Sequence, residues 1–397
     1  MRTFFTPGHH DRTPYLRMLA VAASASLALS IASCNIGTYG QEPTLTALSS
    51  QSVADLKQGV SEQDLHDASL ETVSTKGGTL FISTGTATKT SDADVTRIVS
   101  RDPSTDQFQW AASIEPSVIS VKMPNSISDS NSGYTQTASQ SHTGNIIVSP
   151  DGRYLSLVLT PDESQRGVPA TDRHTHVVVL DTQTGKAVRT AEVSGIILGQ
   201  ALTNSALAVE TAQNYFPAGS GKGTITIFSL TDTSAQPSSF PTDKWLVGAT
   251  RENLMLAPSL LPDDCFNECS IMTTVSLLNT DGSTAGSISG VAAVYPGGWI
   301  RRFTNPKAAS DYQQRSKAVS EDEQKSLSPS REAAEEQLVN PSIKKTIDIT
   351  GKRTFERGVP TGPGLLVDQK TPNGNGSTVL KPVFWLSSTD DGHPHTE

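Results

Sequence analysis

Two tight turns that follow each other closely constrain the fold of this 397-residue chain more than any other feature. The first, Ser-Pro-Asp-Gly at 149–152, lies in NIIVSPDGRYLSLVL, where Pro presets φ and Gly takes the left-handed position. The second, Asp-Thr-Gln-Thr-Gly-Lys at 181–186, lies in HVVVLDTQTGKAVRTAEV. Short runs rich in β-branched residues and bounded by turn residues are typical of strands. The stretch 145–193 therefore predicts two consecutive β-hairpins.

Similar strand-like runs continue from about residue 75 to the C-terminal region, separated by Gly, Asp, Asn and Pro. Convincing amphipathic helices are nearly absent, which argues against the α/β and helical classes. The apolar content of 35% is low, and Ser and Thr are abundant. The chain is therefore predicted to be all-β, with Pro382 confining the last run to a sheet edge. The runs are 79–83, 146–148, 154–159, 176–180, 206–209, 224–230, 272–278 and 380–386.

The hairpin pair at 145–193 resembles one blade of the YVTN-type, WD-repeat-like and quinoprotein-like β-propellers of exported bacterial proteins. In those families an SPDG hairpin joins the inner strands and a D-x-x-T-G-K hairpin joins the outer ones. The resemblance implies a propeller of about six to seven blades at a spacing of about 40–60 residues. It bears on fold rather than function, and two β-sandwich domains are the alternative. Weaker units can be drawn at 75–123, 196–235, 245–289, 291–356 and 362–388.

The N-terminal region carries an uncharged apolar run at 18–32 behind three arginines. A run of about 15 residues is shorter than the about 20 that span a membrane, so it predicts a secretory signal. The run ends in Ile31, Ala32, Ser33 and Cys34, which resemble the lipobox of bacterial lipoproteins. An ordinary signal with a chance cysteine is the alternative.

The lipobox resemblance implies that residues 1–33 are removed and that Cys34 carries lipid, including a palmitate-like acyl chain. Two or three acyl chains give stable anchoring. The mature chain is then expected in the cell envelope, held to the outer face of the cytoplasmic membrane or, in a diderm cell, to the outer membrane.

Composition divides the rest of the chain into four parts. The Ser-, Thr- and Gln-rich stretch 34–74 predicts a tether, and 75–389 predicts the propeller-like domain. Within that domain, 306–341 is polar, charged and helix-prone, which favours a solvated insertion, with a partner-docking arm as the alternative. The last residues, 390–397, predict a disordered tail.

Cys265 and Cys269 are the two cysteines besides Cys34. An exported protein can keep a disulfide, and the short loop LPDDCFNECS favours a structural bridge between them. A metal held by two thiolates on one helical turn is the alternative, but no third or fourth ligand lies nearby. The redox motif needs a two-residue spacer, which is missing here.

Charge and motifs exclude several partners and cofactors. The net charge of −9 becomes −11 without residues 1–33, because 28 basic and 39 acidic residues remain. That balance argues against nucleic acid or an anionic membrane face as a partner. The glycine-rich stretch at 218–224 departs from a phosphate-binding loop, since position 216 is Phe and position 223 is Gly. We therefore expect a hairpin there, with no nucleotide and no cofactor.

Histidines and tryptophans are the remaining candidate site residues. His174 and His176 project from one strand face, which is half a metal site, but no acidic motif accompanies them and a surface role is predicted. No G-x-S-x-G elbow accompanies His142. Four tryptophans lie in four different predicted blades, and this distribution favours packing between blades. The alternative is that the four aromatic side chains together surround a ligand-binding mouth. They are Trp110, Trp245, Trp299 and Trp385.

The sequence thus predicts a membrane-anchored extracytoplasmic lipoprotein that is not an enzyme and that binds an envelope protein or glycan through loop-built faces. The alternative is a propeller enzyme or ligand sensor, such as a lyase, lactonase or glycan hydrolase, with its site at the central channel. A cluster of His, Asp, Glu and Arg converging on one mouth of the channel would favour the enzyme, and an empty or apolar channel would refute it.

Overall fold

The computed structural model describes residues 42–50, 69–86, 94–119, 143–161, 172, 174–212, 223–258, 273–311, 335–359, 362–372, 378–387 and 392–396. In these ranges the regular structure is almost entirely β, with 23 strands, a 3-10 turn at Pro296–Gly298 and a helical turn at 306–311. The predicted all-β class is confirmed. No helix within these ranges is long and apolar enough to cross a membrane.

Three antiparallel sheets form from consecutive stretches of the first part of the chain. In sheet 1, β1 pairs with the outer edge of β5, whereas sheets 2 and 3 follow sequence order. Sheet 1 contains β1 Thr44–Leu48, β2 Ser69–Thr75, β3 Gly78–Thr86, β4 Asp94–Arg101 and β5 Phe108–Glu115. Sheet 2 contains β6 Ile146–Val148, β7 Tyr154–Val158, β8 His174–Asp181 and β9 Ala187–Ser194. Sheet 3 contains β10 Ile196–Leu202, β11 Ala206–Ala212, β12 Gly223–Ser229 and β13 Ser238–Thr242.

The next seven strands are joined through one long strand, β17, which serves two sheets. Its first part pairs with β16 up to Val291, and its second part, 291–295, pairs with β18. We name the part before this switch sheet 4 and the part after it sheet 5. Sheet 4 contains β14 Trp245–Ala249, β15 Leu254–Ala257, β16 Thr273–Leu278 and the start of β17 Thr284–Tyr295. Sheet 5 contains the end of β17, β18 Trp299–Phe303, β19 Glu336–Asn340 and β20 Lys345–Asp348.

Sheet 6 contains β21 Lys352–Val359, β22 Gly362–Pro372 and β23 Thr378–Ser387. Its fourth position is taken in part by the C-terminal residues, since His395 forms an antiparallel bridge with Trp385. First strands of successive sheets contact one another, as β6 does with β10 and β10 with β14. The first strand of sheet 1, β2, contacts β21 and β22, so the series of sheets returns to its start.

Because the strands run up and down, the connections divide between two edges. The turns within the first and second hairpin of each sheet leave at one edge, here named the turn edge. The connections from second to third strand, and from sheet to sheet, leave at the opposite edge, here named the loop edge. Neighbouring turns are hydrogen-bonded at the turn edge, which gives the sheets a common orientation. These bonds run from Lys76 N to Gly152 O (2.9 Å), Asp151 N to Asn204 Oδ1 (3.3 Å), Asn204 N to Arg251 O (2.9 Å) and Arg251 N to Ser342 Oγ (3.1 Å).

The core is divided into apolar layers between successive sheets, five of them in the described part of the chain. Strand β7 illustrates the arrangement, because Leu155 and Leu157 pack toward sheet 1 while Tyr154 and Val158 pack toward sheet 3. Full burial of one such side chain contributes roughly 1.5–3 kcal/mol. The layers are represented by Leu80 and Leu157, Val158 and Leu207, Ala208 and Leu256, Met255 and Ile300, and Trp299 and Leu365.

The structure moves three of the predicted domain boundaries. Strands β1 and β2 lie inside the predicted tether 34–74, and Leu45 of β1 packs against the layer between sheets 1 and 2. Strand β19 lies inside the predicted insertion 306–341, whose residues 312–334 fall outside the described ranges. The predicted disordered tail 390–397 contains a buried Gly392 and a His395 ring stacked 4.0 Å from that of Trp385. Pairing with distant strands orders each segment.

Candidate functional site

The first strands of the sheets are the place where a central site would lie. They are β2, β6, β10, β14, the end of β17 and β21. Among their described side chains, the charged ones are Glu71 and Lys352, and most of the others are apolar. Burial raises the pKa of Glu71 above its usual value. Among these described side chains no convergent cluster of charged groups is found of the kind that the enzyme alternative requires.

A buried carboxyl group joins sheets 3 and 4 near the loop edge. Glu210 of β11 is fully buried, and its Oε2 accepts a hydrogen bond from the backbone N–H of Leu246 on β14 (2.8 Å). Its Oε1 has no hydrogen-bond partner among the described residues. Burial raises the pKa of Glu210 to about 7, against the lowering effect of the Leu246 N–H. A Cβ on Gly223 would lie 2.9 Å from Oε1, so this glycine leaves the space that the carboxyl occupies.

A second buried polar group, Gln200, joins sheets 2 and 3. Its Oε1 accepts from Ser156 Oγ (2.7 Å), and its Nε2 donates to Gly144 O (2.9 Å). Its backbone N–H donates to Thr143 Oγ1 (2.8 Å). Gln200 and Glu210 therefore use their polar atoms to hold adjacent sheets together, which is a structural role.

His174 and His176 lie at the loop-edge end of β8 and face β9. His174 Nδ1 lies 3.1 Å from Glu192 Oε1 and 3.3 Å from Ser194 Oγ. A serine relay would need the acid and the hydroxyl on opposite ring nitrogens, and here both meet Nδ1. Burial lowers the pKa of His176, while Glu192 and Glu42 act in the opposite direction.

The sequence missed the acidic neighbour of the two histidines, because Glu192 comes from the partner strand β9. In the β8–β9 register His176 lies opposite Glu192, so a correct strand pairing would have identified it. Within the described ranges, no group of three His, Cys, Asp or Glu side chains could hold a metal ion. The arrangement fits a partly exposed ion pair at a strand end.

A buried ion pair spans two strands of sheet 5. Arg301 of β18 donates from Nε to Glu336 Oε2 (2.9 Å) and also from its terminal nitrogen to the same oxygen. The neighbouring Glu336 carboxylate keeps the pKa of Arg301 raised despite burial. Nearby, Tyr295 Oη is 2.6 Å from Thr354 Oγ1 of β21, which connects sheets 5 and 6.

The four tryptophans lie at packing positions. Trp110 donates from Nε1 to Thr182 O (2.9 Å), and its ring is so close to Gly185 that a Cβ there would lie 2.4 Å from it. Trp245 and Trp299 are almost fully buried, and Trp385 stacks on His395. Trp110, Trp245 and Trp299 therefore pack between sheets, as interpreted, whereas the described contact of Trp385 lies within sheet 6.

The loop-edge end of sheet 6 carries the exposed large apolar side chains of the described ranges, Val379 (41% exposed) and Leu380 (37% exposed). Both lie on β23, next to the exposed Lys381. Pro382 was predicted to confine this run to a sheet edge. It lies on the outer strand, which pairs with β22 on one side and meets the chain again only at the His395 bridge among the described residues.

Several predicted site residues lie outside the described ranges. They are the lipobox residues Ile31, Ala32, Ser33 and Cys34, the predicted disulfide pair Cys265 and Cys269, His142 and most of the glycine-rich stretch 218–224. Their predicted roles therefore stay predictions.

No protein-family model matches the sequence, and no relative was found among curated proteins. Solved structures give weak likenesses. The β-propeller domain of the Trilobed protease from Pyrococcus furiosus is 11% identical, with a TM-score of 0.36 over 81% of this chain and 87% of that one. TolB from Acinetobacter baumannii is 11% identical, with a TM-score of 0.30 over 86% and 66%. Pyrococcus horikoshii acylaminoacyl peptidase is 11% identical, with a TM-score of 0.37 over 81% of this chain and 47% of that one. Likeness of this size says nothing about activity.

Proposed function

We propose that this chain is a lipid-anchored extracytoplasmic lipoprotein whose body is a six-bladed β-propeller that serves as a binding scaffold. Six consecutive antiparallel sheets in the described ranges support the propeller, as do the apolar layers between them. The contacts between successive first strands and between β2 and sheet 6 are those expected of blades around an axis. Each sheet would be one blade.

The observation that carries the proposal is the edge at which the chain joins the body. Thr44 of β1 pairs with Glu115 of β5, so β1 begins at the loop edge. Cys34 precedes Thr44 by ten residues, which span at most about 35 Å when fully extended. A lipid on Cys34 therefore holds the loop edge close to the membrane and leaves the turn edge facing away, toward envelope proteins or glycans.

The turn edge is suited to binding because it is rigid. Hydrogen bonds join the first turns of sheets 1 to 4, from Lys76 through Asn204 to Arg251, and continue from Arg251 to Ser342 in the second turn of sheet 5. A preorganised surface loses little conformational entropy when a partner binds. The use of Gln200 and Glu210 in holding sheets together, and the mainly apolar character of those first-strand side chains that the structure describes, support a binding role over a catalytic one.

The anchor is tested by metabolic labelling with a palmitate analogue. We expect the label on the wild-type chain and its loss in Cys34→Ala, with Ser49→Ala, a nearby hydroxyl change, as the matched control that keeps it. Label that persists in Cys34→Ala would refute the anchor.

The binding edge is tested by photo-crosslinking in intact cells. Crosslinking side chains placed at Gln183 and Ser234, both exposed at the turn edge, should give a discrete partner band. The same groups at Thr224 and Asp243, exposed near the loop edge, are the controls. A partner band from the loop-edge positions alone would contradict the assigned orientation.

A further inference from the structure

The end of the β22–β23 hairpin projects past the rest of sheet 6. Lys352, the first residue of β21, pairs with Gln369, which is the last rung that three strands share. The β22–β23 pairing continues beyond it through Leu380, Val379 and Thr378. We name residues 370–372 and 378–381 the hairpin tip. Since β22 ends at the loop edge, the tip projects from that edge.

The tip carries the two large apolar side chains that are exposed in the described part of the chain, Val379 and Leu380. Val379 and Leu380 are neighbours on β23, so their side chains point to opposite faces of the two-stranded ribbon. Both faces are open to solvent, because no third strand covers these rungs in the described ranges. A surface that meets this ribbon end-on can contact both side chains at once, although they lie on opposite faces.

Charge at the tip differs from that of the whole chain. The chain carries a net charge of −9, and this balance opposes contact between the body as a whole and an anionic membrane. The stretch 369–387, however, contains Lys370 and Lys381 and no Asp or Glu. Aliphatic residues beside lysines suit the boundary between acyl chains and anionic head groups.

The position of the hairpin tip favours a membrane as the surface that it contacts. Sheets 1 and 6 are neighbours through the contacts of β2 with β21 and β22. The chain leaves sheet 1 toward Cys34 at Thr44, at the same loop edge from which the tip projects. The nine residues between Cys34 and Thr44 limit how far this edge can stand from the bilayer.

We propose that the hairpin tip rests on the membrane that holds lipidated Cys34, with Val379 and Leu380 at the acyl-chain boundary and Lys381 toward anionic head groups. This rests on the anchoring in the proposed function and adds a second contact to it. The lipid on Cys34 keeps the loop edge near the membrane but lets the body tilt about its linker, and a second contact would limit that tilt. The same lipid on Cys34 also keeps the tip at a high effective concentration near the membrane, so that even a weak contact between tip and membrane is formed much of the time.

The first test places a fluorophore at the tip. The full lipidated chain with Leu380→Trp is reconstituted on vesicles of phosphatidylethanolamine and phosphatidylglycerol, with and without brominated acyl chains. We expect brominated lipid to remove most of the fluorescence that the substitution adds over wild type. Gln183→Trp, exposed at the turn edge, is the matched control and should keep its added fluorescence. Absence of quenching at Leu380→Trp would overturn the proposal.

The second test uses the full chain with Cys34→Ser, which accepts no lipid, and the same vesicles. Adding Val379→Ser and Leu380→Ser should lower vesicle partition on the order of tenfold, where tenfold corresponds to about 1.4 kcal/mol. Both positions are exposed, so an unchanged melting temperature verifies folding. Equal partition with and without the two changes would overturn the proposal. So would dimers that form without lipid and disappear with the same changes, because the occupant would then be a second copy.

The lipid anchor at Cys34 and the membrane contact of the hairpin tip can be refuted independently. Palmitate label at Cys34 without quenching at Leu380→Trp refutes the tip and leaves the anchor. Absence of label, together with a partition of the Cys34→Ser chain that falls when Val379→Ser and Leu380→Ser are added, refutes the anchor and leaves the tip as a membrane contact.

Discussion

The buried carboxyl group of Glu210 makes the stability of this protein depend on pH in a defined direction. Its pKa is about 7 in the folded chain, against 4.5 for an exposed glutamate. The folded state therefore holds a proton between these values that the unfolded state has lost. Stability contributed by the neutral group is complete below pH 4.5 and decreases as pH rises to about 7. At 1.36 kcal/mol per pKa unit, the loss is about 3 kcal/mol.

Replacing Glu210 with Gln removes the charge and retains an oxygen that can accept from the Leu246 N–H. We expect Glu210→Gln to match wild type near pH 4 and to exceed its free energy of unfolding by about 3 kcal/mol at pH 8. The measurement is urea unfolding of the Cys34→Ser chain at several pH values, followed by circular dichroism. Subtraction of wild type cancels the other titrating groups.

The matched control is Asp243→Asn, an equal charge change at an exposed position near the same edge. It should leave the pH dependence of unfolding nearly unchanged. A difference between Glu210→Gln and wild type that stays constant from pH 4 to pH 8 would refute the reasoning, because it would mean that Glu210 titrates alike in both states.

Three further changes test the packing between and within sheets by the same urea assay. Gly77→Ala should lower the free energy of unfolding by about 1–3 kcal/mol, because its Cβ would lie 2.2 Å from the Thr182 carbonyl. The control is Gly85→Ala, whose Cβ would have no atom within 4 Å. Equal losses in the two variants would contradict the clash at Gly77. Arg301→Met should lower it by about 3–5 kcal/mol, since Glu336 is left buried and unpaired. Adding Glu336→Leu should recover most of that loss, and a larger loss in the double variant would contradict the pairing.

The parts of the fold that the sequence predicted are those that local chemistry determines. The turns at 149–152 and 181–186 form as expected because Gly152 and Gly185 adopt the positive φ that such turns require, 72° and 67°. Strand β1 was assigned to the tether instead, because TLTAL has no strong signal of its own and its partner β5 lies far along the chain. The same reason hides β19, whose pairing with β18 crosses the helix-prone stretch.

Candidate site features were harder to predict, because they depend on which strands pair. Glu192 becomes the neighbour of His174 only through the β8–β9 register. Glu210 is an ordinary strand residue in sequence, and its raised pKa comes from burial between sheets 3 and 4. The projecting tip depends on where β21 begins relative to β22.

An aspartate recurs at the turn edge and marks the repeated sheets better than the resemblance of the stretch 145–193 to a propeller blade does. In the second hairpin of sheets 1 to 4, one aspartate Oδ1 accepts the backbone N–H two residues on and a nearby Ser or Thr hydroxyl. The four are Asp102, Asp181, Asp232 and Asp281.

In three of these turns the bonds from the Ser and Thr groups lower the pKa of the aspartate, to about 2 for Asp102 and below the usual value for Asp232 and Asp281. The turns thus keep their geometry across the physiological pH range, whereas Glu210, near the loop edge, titrates near neutral pH. The loss of stability as pH rises toward neutral should therefore begin at the edge that we assign to the membrane, and the turn edge should keep its shape for a partner.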